Sequence, residues 1–122
     1  MRRLSSLDAQ FLAAEHDNFG SHYSGLAIFE TDDCTTITAA TMRERVSACL
    51  DELPPLHWKV VTVPLSLDHP VFVETEVDLD DHIFESTLPA PANDEKLGQA
   101  VAGILSKRLD RDKPLWRLDV IH

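Results

Sequence analysis

Leu115-Trp116-Arg117-Leu118-Asp119-Val120-Ile121 alternates apolar and polar side chains from Trp116 to Val120, a period of two that predicts a β-strand running to the end of the sequence. The ladder groups of such a strand need partners, and few segments of the chain are placed to pair it on both sides. The expectation is a cut sheet with one unpaired edge at residues 115–121. Upstream, Asn93 or Asp94 caps the clearest helix in the chain, with Leu97, Ala100, Val101, Ile104, Leu105 and Leu109 at i, i+3, i+4, i+7, i+8 and i+12. Gly98 and Gly103 each lower the propensity of that helix by ~1 kcal/mol relative to alanine, so it should depend on tertiary packing or a close backbone neighbour.

Further back, Leu88-Pro89-Ala90-Pro91-Ala92 is a proline-stiffened link. Two extended segments precede it, residues 58–63 and 71–77, joined by Pro64-Leu65-Ser66-Leu67-Asp68-His69-Pro70, and their relative direction is not readable. A second helix, capped by Thr38 or Thr41, carries Met42, Val46, Cys49, Leu50 and Leu53 on one stripe and stops at Pro54-Pro55. Residues 24–30, with Leu26-Ala27-Ile28-Phe29 after a glycine, read as a strand buried on both faces. At the N-terminus Ser5-Ser6-Leu7-Asp8 forms a capping box, and Leu4, Leu7, Phe11 and Leu12 make one stripe of a helix ending near Asn18 to Gly20.

The sum is about three helices and four to five strands, an α/β chain of one domain spanning residues 1–122. A length of 122 residues excludes a second full domain, and 43% apolar with 26% charged residues and a mean hydropathy of -0.15 is a globular rather than a disordered composition. The formal net charge of -10 disfavours nucleic acid as a partner. Cys34 and Cys49 lack a C-x-x-C spacing and read as reduced thiols in a reducing, cytoplasmic compartment. Met1-Arg2-Arg3 is not the start of a signal peptide, because Asp8, Gln10 and Glu15 interrupt the apolar region that should follow. No uncharged apolar run approaches the ~18 to 20 residues of a membrane span, so contact with a membrane or lipid droplet would be peripheral.

Chemistry-bearing motifs are scarce. His57, His69 and His82 match no recurrent zinc spacing. Asp78-Leu79-Asp80-Asp81-His82 lacks the glycine and distal glutamate of an EF-hand loop and reads as a solvated edge. There is no G-x-S-x-G elbow, no G-x-G-x-x-G and no P-loop, and neither cysteine has a histidine that sequence nominates as its base. No internal repeat is visible. Taken by themselves, the residues describe an acidic α/β domain without a self-contained active site.

In order, however, the segments resemble the N-terminal part of the bacterial wax ester synthase/diacylglycerol acyltransferase family. Leu4-Ser5-Ser6-Leu7-Asp8-Ala9-Gln10-Phe11-Leu12 is similar to that family's L-S-x-L-D-x-x-F-L start, and His22-Tyr23-Ser24-Gly25-Leu26-Ala27-Ile28-Phe29 to its H-x-G-x-L-x-I-F strand. Leu53-Pro54-Pro55-Leu56-His57-Trp58, the stretch containing Asp68, His69 and Pro70, Asp78-Leu79-Asp80-Asp81-His82-Ile83, and Leu88-Pro89-Ala90-Pro91 follow in the same order. Pro114-Leu115-Trp116 is like the family's P-L-W motif.

The resemblance implies the first half of a chloramphenicol acetyltransferase-like fold, in which two related halves form a channel where acyl-CoA, as co-substrate, meets a long-chain alcohol or diacylglycerol. It also implies that catalysis uses a histidine of an H-H-x-x-x-D-G motif as base, and this sequence does not contain that motif. His122 is followed by no such pattern and is not its equivalent. The expectation is therefore a split half or N-terminal fragment, inactive alone, with no catalytic residue, no metal and no permanently bound cofactor. Pro114, Leu115, Trp116, Asp68, His69 and Pro70 are expected to be structural motif residues. The expected partner is a complementary C-terminal half or a second copy. The rival readings are a non-catalytic binding or assembly module that self-associates through its open strand, and a non-functional product.

Overall fold

The computed structural model describes residues 1–17, 20–30 and 36–122, with the side chain of Ser66 excepted. Local chemistry starts all three helices. In α1, Ser6–Ala14, Ser5 accepts from the amide of Asp8 at 3.1 Å while the Asp8 carboxylate accepts from the amide of Ser5 at 3.3 Å, the reciprocal arrangement expected from sequence. Thr38 and Thr41 cap α2, Ala39–Cys49, in the same way. Asn93 accepts from Lys96 N at 2.9 Å and starts α3, Asp94–Leu105.

Five strands are described, β1, Arg2–Arg3; β2, Trp58–Val61; β3, Val71–Glu74; β4, Ile83–Ser86; and β5, Leu118–Ile121, with four short 3-10 turns of helix between them. The order β1-β3-β2 forms an antiparallel sheet in which Val60 faces Phe72 and Arg2 also faces Phe72 from the other side. β4 and β5 form a separate parallel pair, Ile83 opposite Leu118 and Ser86 opposite Ile121. Helix α2 lies on β4, with the amide of Ala39 donating to the Glu85 carboxylate at 3.2 Å and Arg43 Nη2 to the Ile83 carbonyl at 2.8 Å. The buried apolar residues among those described are Leu4, Ala39, Val60, Ile83 and Pro114, of which Ile83 is 0% exposed.

Several expectations are corrected. The first helix ends at Ala14 rather than near Asn18, itself outside the described residues, because Glu15 turns extended (φ -70, ψ 121) and its carboxylate pairs with Arg111 at 3.1 Å. Residues 24–30 form no ladder: with no neighbouring strand among the described residues, Ile28 is 74% and Phe29 69% exposed instead of buried on both faces. The third helix stops at Leu105, leaving Leu109 beyond it, where Ser106 Oγ donates to the Gly103 carbonyl at 2.9 Å. The terminal strand begins at Leu118, since Trp116 N donates to the Pro114 carbonyl at 2.9 Å and bends the chain at Leu115. β4 pairs with one of its edges, and among the described residues no strand pairs with the other. Cys34 lies outside the described residues, and Cys49 is a free thiol.

No heavy atom outside the local backbone lies within 4 Å of a Cβ built on Gly98 or Gly103, so neither serves a close backbone approach. Gly98→Ala is therefore expected to stabilise the chain by ~0.5 to 1 kcal/mol, raising Tm by several degrees in a thermal melt; an unchanged or lower Tm would show that α3 does not persist in solution.

Candidate functional site

After α3 the chain turns at Asp110, whose carboxylate accepts from Asp112 N at 2.9 Å, and then enters Pro114-Leu115-Trp116. Pro114 is buried and bridges to Lys59 of β2, tying this corner to the antiparallel sheet. The Trp116 indole Nε1 donates to the Leu56 carbonyl at 2.9 Å. Its ring stacks on the imidazole of His82, with centroids 4.2 Å apart and planes 13° from parallel. His82 Nδ1 donates to the Trp116 carbonyl at 2.9 Å. A carbonyl only accepts, so the proton sits on Nδ1. The same residue's carbonyl accepts from Leu118 N at 2.8 Å, the first rung joining β4 to β5. His82 thus holds the corner by ring and by backbone, and it is only 3% exposed.

Around this corner opens a cavity of about 770 Å³, bordered by α3 (Val101, Ile104, Leu105), by Val46, Leu56 and Phe84, by Leu115 to Asp119 and by the extended residues 22–26. Its rim carries Lys107, Arg108, Lys113 and Arg117, a cationic group on an otherwise acidic chain. Three of these are already paired: Lys113 with Asp81 at 2.6 Å, Arg108 with Asp17 at 2.8 Å and Arg117 with Asp119 at 2.7 Å. The hydrogen bond that Lys113 donates to Asp81 raises its pKa above the ordinary value, and those that Arg117 donates to Asp119 do the same for Arg117, so both stay charged.

Pro114, Leu115 and Trp116 therefore line one cavity, whereas Asp68, His69 and Pro70 line another of about 700 Å³, between the loop 64–70 and α1. The two groups are not brought together. Asp68 pairs with Arg3 at 2.8 Å and accepts from His69 N at 2.8 Å, while the Pro70 carbonyl accepts from Leu4 N at 3.2 Å. Those contacts fasten the N-terminus to β3. His122 Nε2 lies 2.7 Å from Glu85, whose carboxyl pKa is lowered first by that bond and next by the amide of Ala39. His57 lies between the Thr75 and Leu50 carbonyls at 3.4 and 3.3 Å. Among the described residues no group of three His, Cys, Asp or Glu side chains is arranged to hold a metal.

Comparison with known proteins identifies what this arrangement belongs to. The family model for the wax ester synthase/diacylglycerol acyltransferase catalytic domain matches residues 4–122. The chain belongs to that family. A Mycobacterium tuberculosis (strain H37Rv) protein bearing the name diacylglycerol O-acyltransferase is 38% identical over 120 residues, 97% of this chain and 26% of the relative. A second one from the same strain is 30% identical over 121 residues, 98% of this chain and 44% of the relative. The wax ester synthase/diacylglycerol acyltransferase of Marinobacter aquaeolei VT8 superposes with a TM-score of 0.68 at 22% identity, covering 99% of this chain and 29% of its own, and shows the fold. The chain thus spans about a quarter of the length of the first of these relatives and corresponds to the N-terminal part of the family domain. No helix among the described residues is long and apolar enough to cross a membrane.

His82 is the residue that sequence reasoning passed over. The sequence offers it as a metal ligand that fails on spacing and as a member of the acidic family segment Asp78-Leu79-Asp80-Asp81-His82-Ile83, and its place there immediately before a strand is the signal that it belongs to the corner.

Proposed function

We propose that residues 1–122 form one N-terminal acyltransferase-like unit that supplies part of the wall of an acyl-transfer channel. In it, an acyl group passes from acyl-CoA to a long-chain alcohol or to diacylglycerol. The observation that carries this reading is the match over residues 4–122 to the family's catalytic domain. The cavity supports it: about 770 Å³ is within the ~300 to 1,000 Å³ range of small-molecule sites, and its apolar flank of Val101, Ile104 and Leu105 suits a hydrocarbon chain. In this reading Pro114, Leu115 and Trp116 hold the cavity wall, and Asp68, His69 and Pro70 fasten the N-terminus.

Ester formation requires a base to take the hydroxyl proton as the alcohol oxygen attacks the thioester carbonyl and the CoA thiolate leaves. The H-H-x-x-x-D-G base is not in this sequence, and His82, with Nδ1 committed to Trp116, is a positioning residue. The unit therefore acts with polypeptide equivalent to the rest of its relatives, on the same chain or another, and contact with a lipid surface would be peripheral.

Thiol release from acyl-CoA with hexadecanol or diacylglycerol tests the reading. Residues 1–122 alone should give no release above the uncatalysed rate, and adding the remainder of the 38% identical M. tuberculosis relative should give turnover. Release by the chain alone would overturn the assignment of the base, and silence of the folded mixture would overturn the acyltransferase reading.

A further inference from the structure

We propose that the cavity beside Trp116 takes the pantetheine arm of acyl-CoA, with an amide N–H of the arm donating to His82 Nε2 and the CoA phosphates held at the rim beside Lys107. This deepens the acyl-transfer reading and rests on it for the identity of the thioester substrate.

His82 has a second ring nitrogen that the corner does not use. Its side chain is fixed by contacts within the chain: Nδ1 donates to the Trp116 carbonyl at 2.9 Å, and the ring stacks on the indole with centroids 4.2 Å apart. With the proton on Nδ1, the neutral ring leaves Nε2 a lone pair that only accepts. Among the described residues Nε2 has no hydrogen-bond partner, and it is not one of the enclosed polar atoms that lack one, so it opens on the cavity that His82 helps to line. An acceptor without a donor, on a residue only 3% exposed, carries a desolvation penalty that a ligand donor relieves.

Chemistry then selects the donor. The hydroxyl of the alcohol or of diacylglycerol must hand its proton to the catalytic base, and neither molecule carries another N–H or O–H. The thioester carbonyl is itself an acceptor. The pantetheine arm, by contrast, has amide N–H groups set between apolar stretches, and those stretches suit the flank of Val101, Ile104 and Leu105. At the rim, Arg108, Lys113 and Arg117 are neutralised by Asp17, Asp81 and Asp119, whereas Lys107 has no ion pair among the described residues. Its ammonium is therefore available to a phosphate.

Nitrogen NMR of the full chain carrying heavy-nitrogen-labelled histidine, at pH ~8 where an imidazole is ordinarily neutral, reads the contact at the atom concerned. The Nε2 resonance of His82, assigned through the contact of its ring with Trp116, should shift when pantetheine is added. A resonance unmoved at ~10 mM pantetheine overturns the proposal, as does one moved by decanol but not by pantetheine, which would give the cavity to the alcohol. In calorimetric titration CoA should bind roughly threefold more tightly than pantetheine, and Lys107→Ala should remove that margin. Equal affinities in the unsubstituted chain, or a margin that survives Lys107→Ala, would overturn the placing of the phosphates. His82→Asn keeps an amide N–H for the Trp116 carbonyl but has no atom at Nε2, so it should weaken pantetheine about fivefold, and an unchanged affinity would remove the acceptor from the site. Circular dichroism establishes that this variant is folded; should it not be, the Nε2 shift in the unsubstituted chain decides alone. A shift without thiol release in the completed mixture would uphold the site and fail the acyltransferase reading, and release without a shift would do the reverse.

Discussion

Trp116→Ala is expected to lower the unfolding free energy by about 3 kcal/mol, the lower end of the ~3 to 5 typical of a large aromatic because the side chain is half-buried rather than fully enclosed. Three losses combine. The stack on His82 at 4.2 Å disappears, the Leu56 carbonyl loses its indole donor, and the cavity beside α3 widens into the corner. Trp116→Phe separates these contributions, since it keeps an aromatic face for His82 and forfeits only the N–H bond, worth ~1 kcal/mol. Urea unfolding of both variants measures the difference. A Trp116→Ala midpoint equal to that of the unsubstituted chain would show that the corner is not part of the cooperative fold, and that His82 is held by its backbone bonds alone.

What could be read from the sequence follows the range of the interactions involved. The caps at Ser5, Thr38 and Asn93 act over three residues, so their side chains are visible in the local pattern and each starts a helix as expected. Strand β4 is short, and Ile83-Phe84-Glu85-Ser86 offers no alternation long enough to distinguish it; it exists because Arg43 and β5 satisfy its backbone. Residues 24–30 fail in the opposite sense. Their composition suits a strand, but strand formation depends on a neighbour, and composition does not encode whether one is present. The same limit applies to the candidate site. Pro114-Leu115-Trp116 is legible as a motif of three consecutive residues, whereas its engagement with His82 spans 34 positions. The separation of Asp68, His69 and Pro70 from it, in a different cavity, is likewise a fact of topology.

Ile83→Ala is expected to be more damaging still. Ile83 is fully enclosed, and truncating a buried isoleucine costs ~2 to 5 kcal/mol because the transfer loss is joined by a cavity that rigid surroundings fill poorly. Those surroundings are rigid here: the Ile83 carbonyl accepts from Arg43 of α2, Leu118 lies opposite on β5, and His82 precedes it. The remaining buried apolar residues among those described are Leu4, Ala39, Val60 and Pro114, so little else compensates within a total that for a domain is typically ~5 to 15 kcal/mol. Loss of about 4 kcal/mol should abolish the cooperative urea transition at 37 °C, while Ile83→Val, removing one methylene, should shift the midpoint by ~1 kcal/mol and leave the transition cooperative. Ile83 and Trp116 both act through the β4–β5 junction, so their double variant should cost less than the two single losses added together. Strict additivity would mean that the corner and the β4 core are independent, and an unchanged Ile83→Ala transition would mean that stability resides in the antiparallel sheet of β1, β3 and β2 instead.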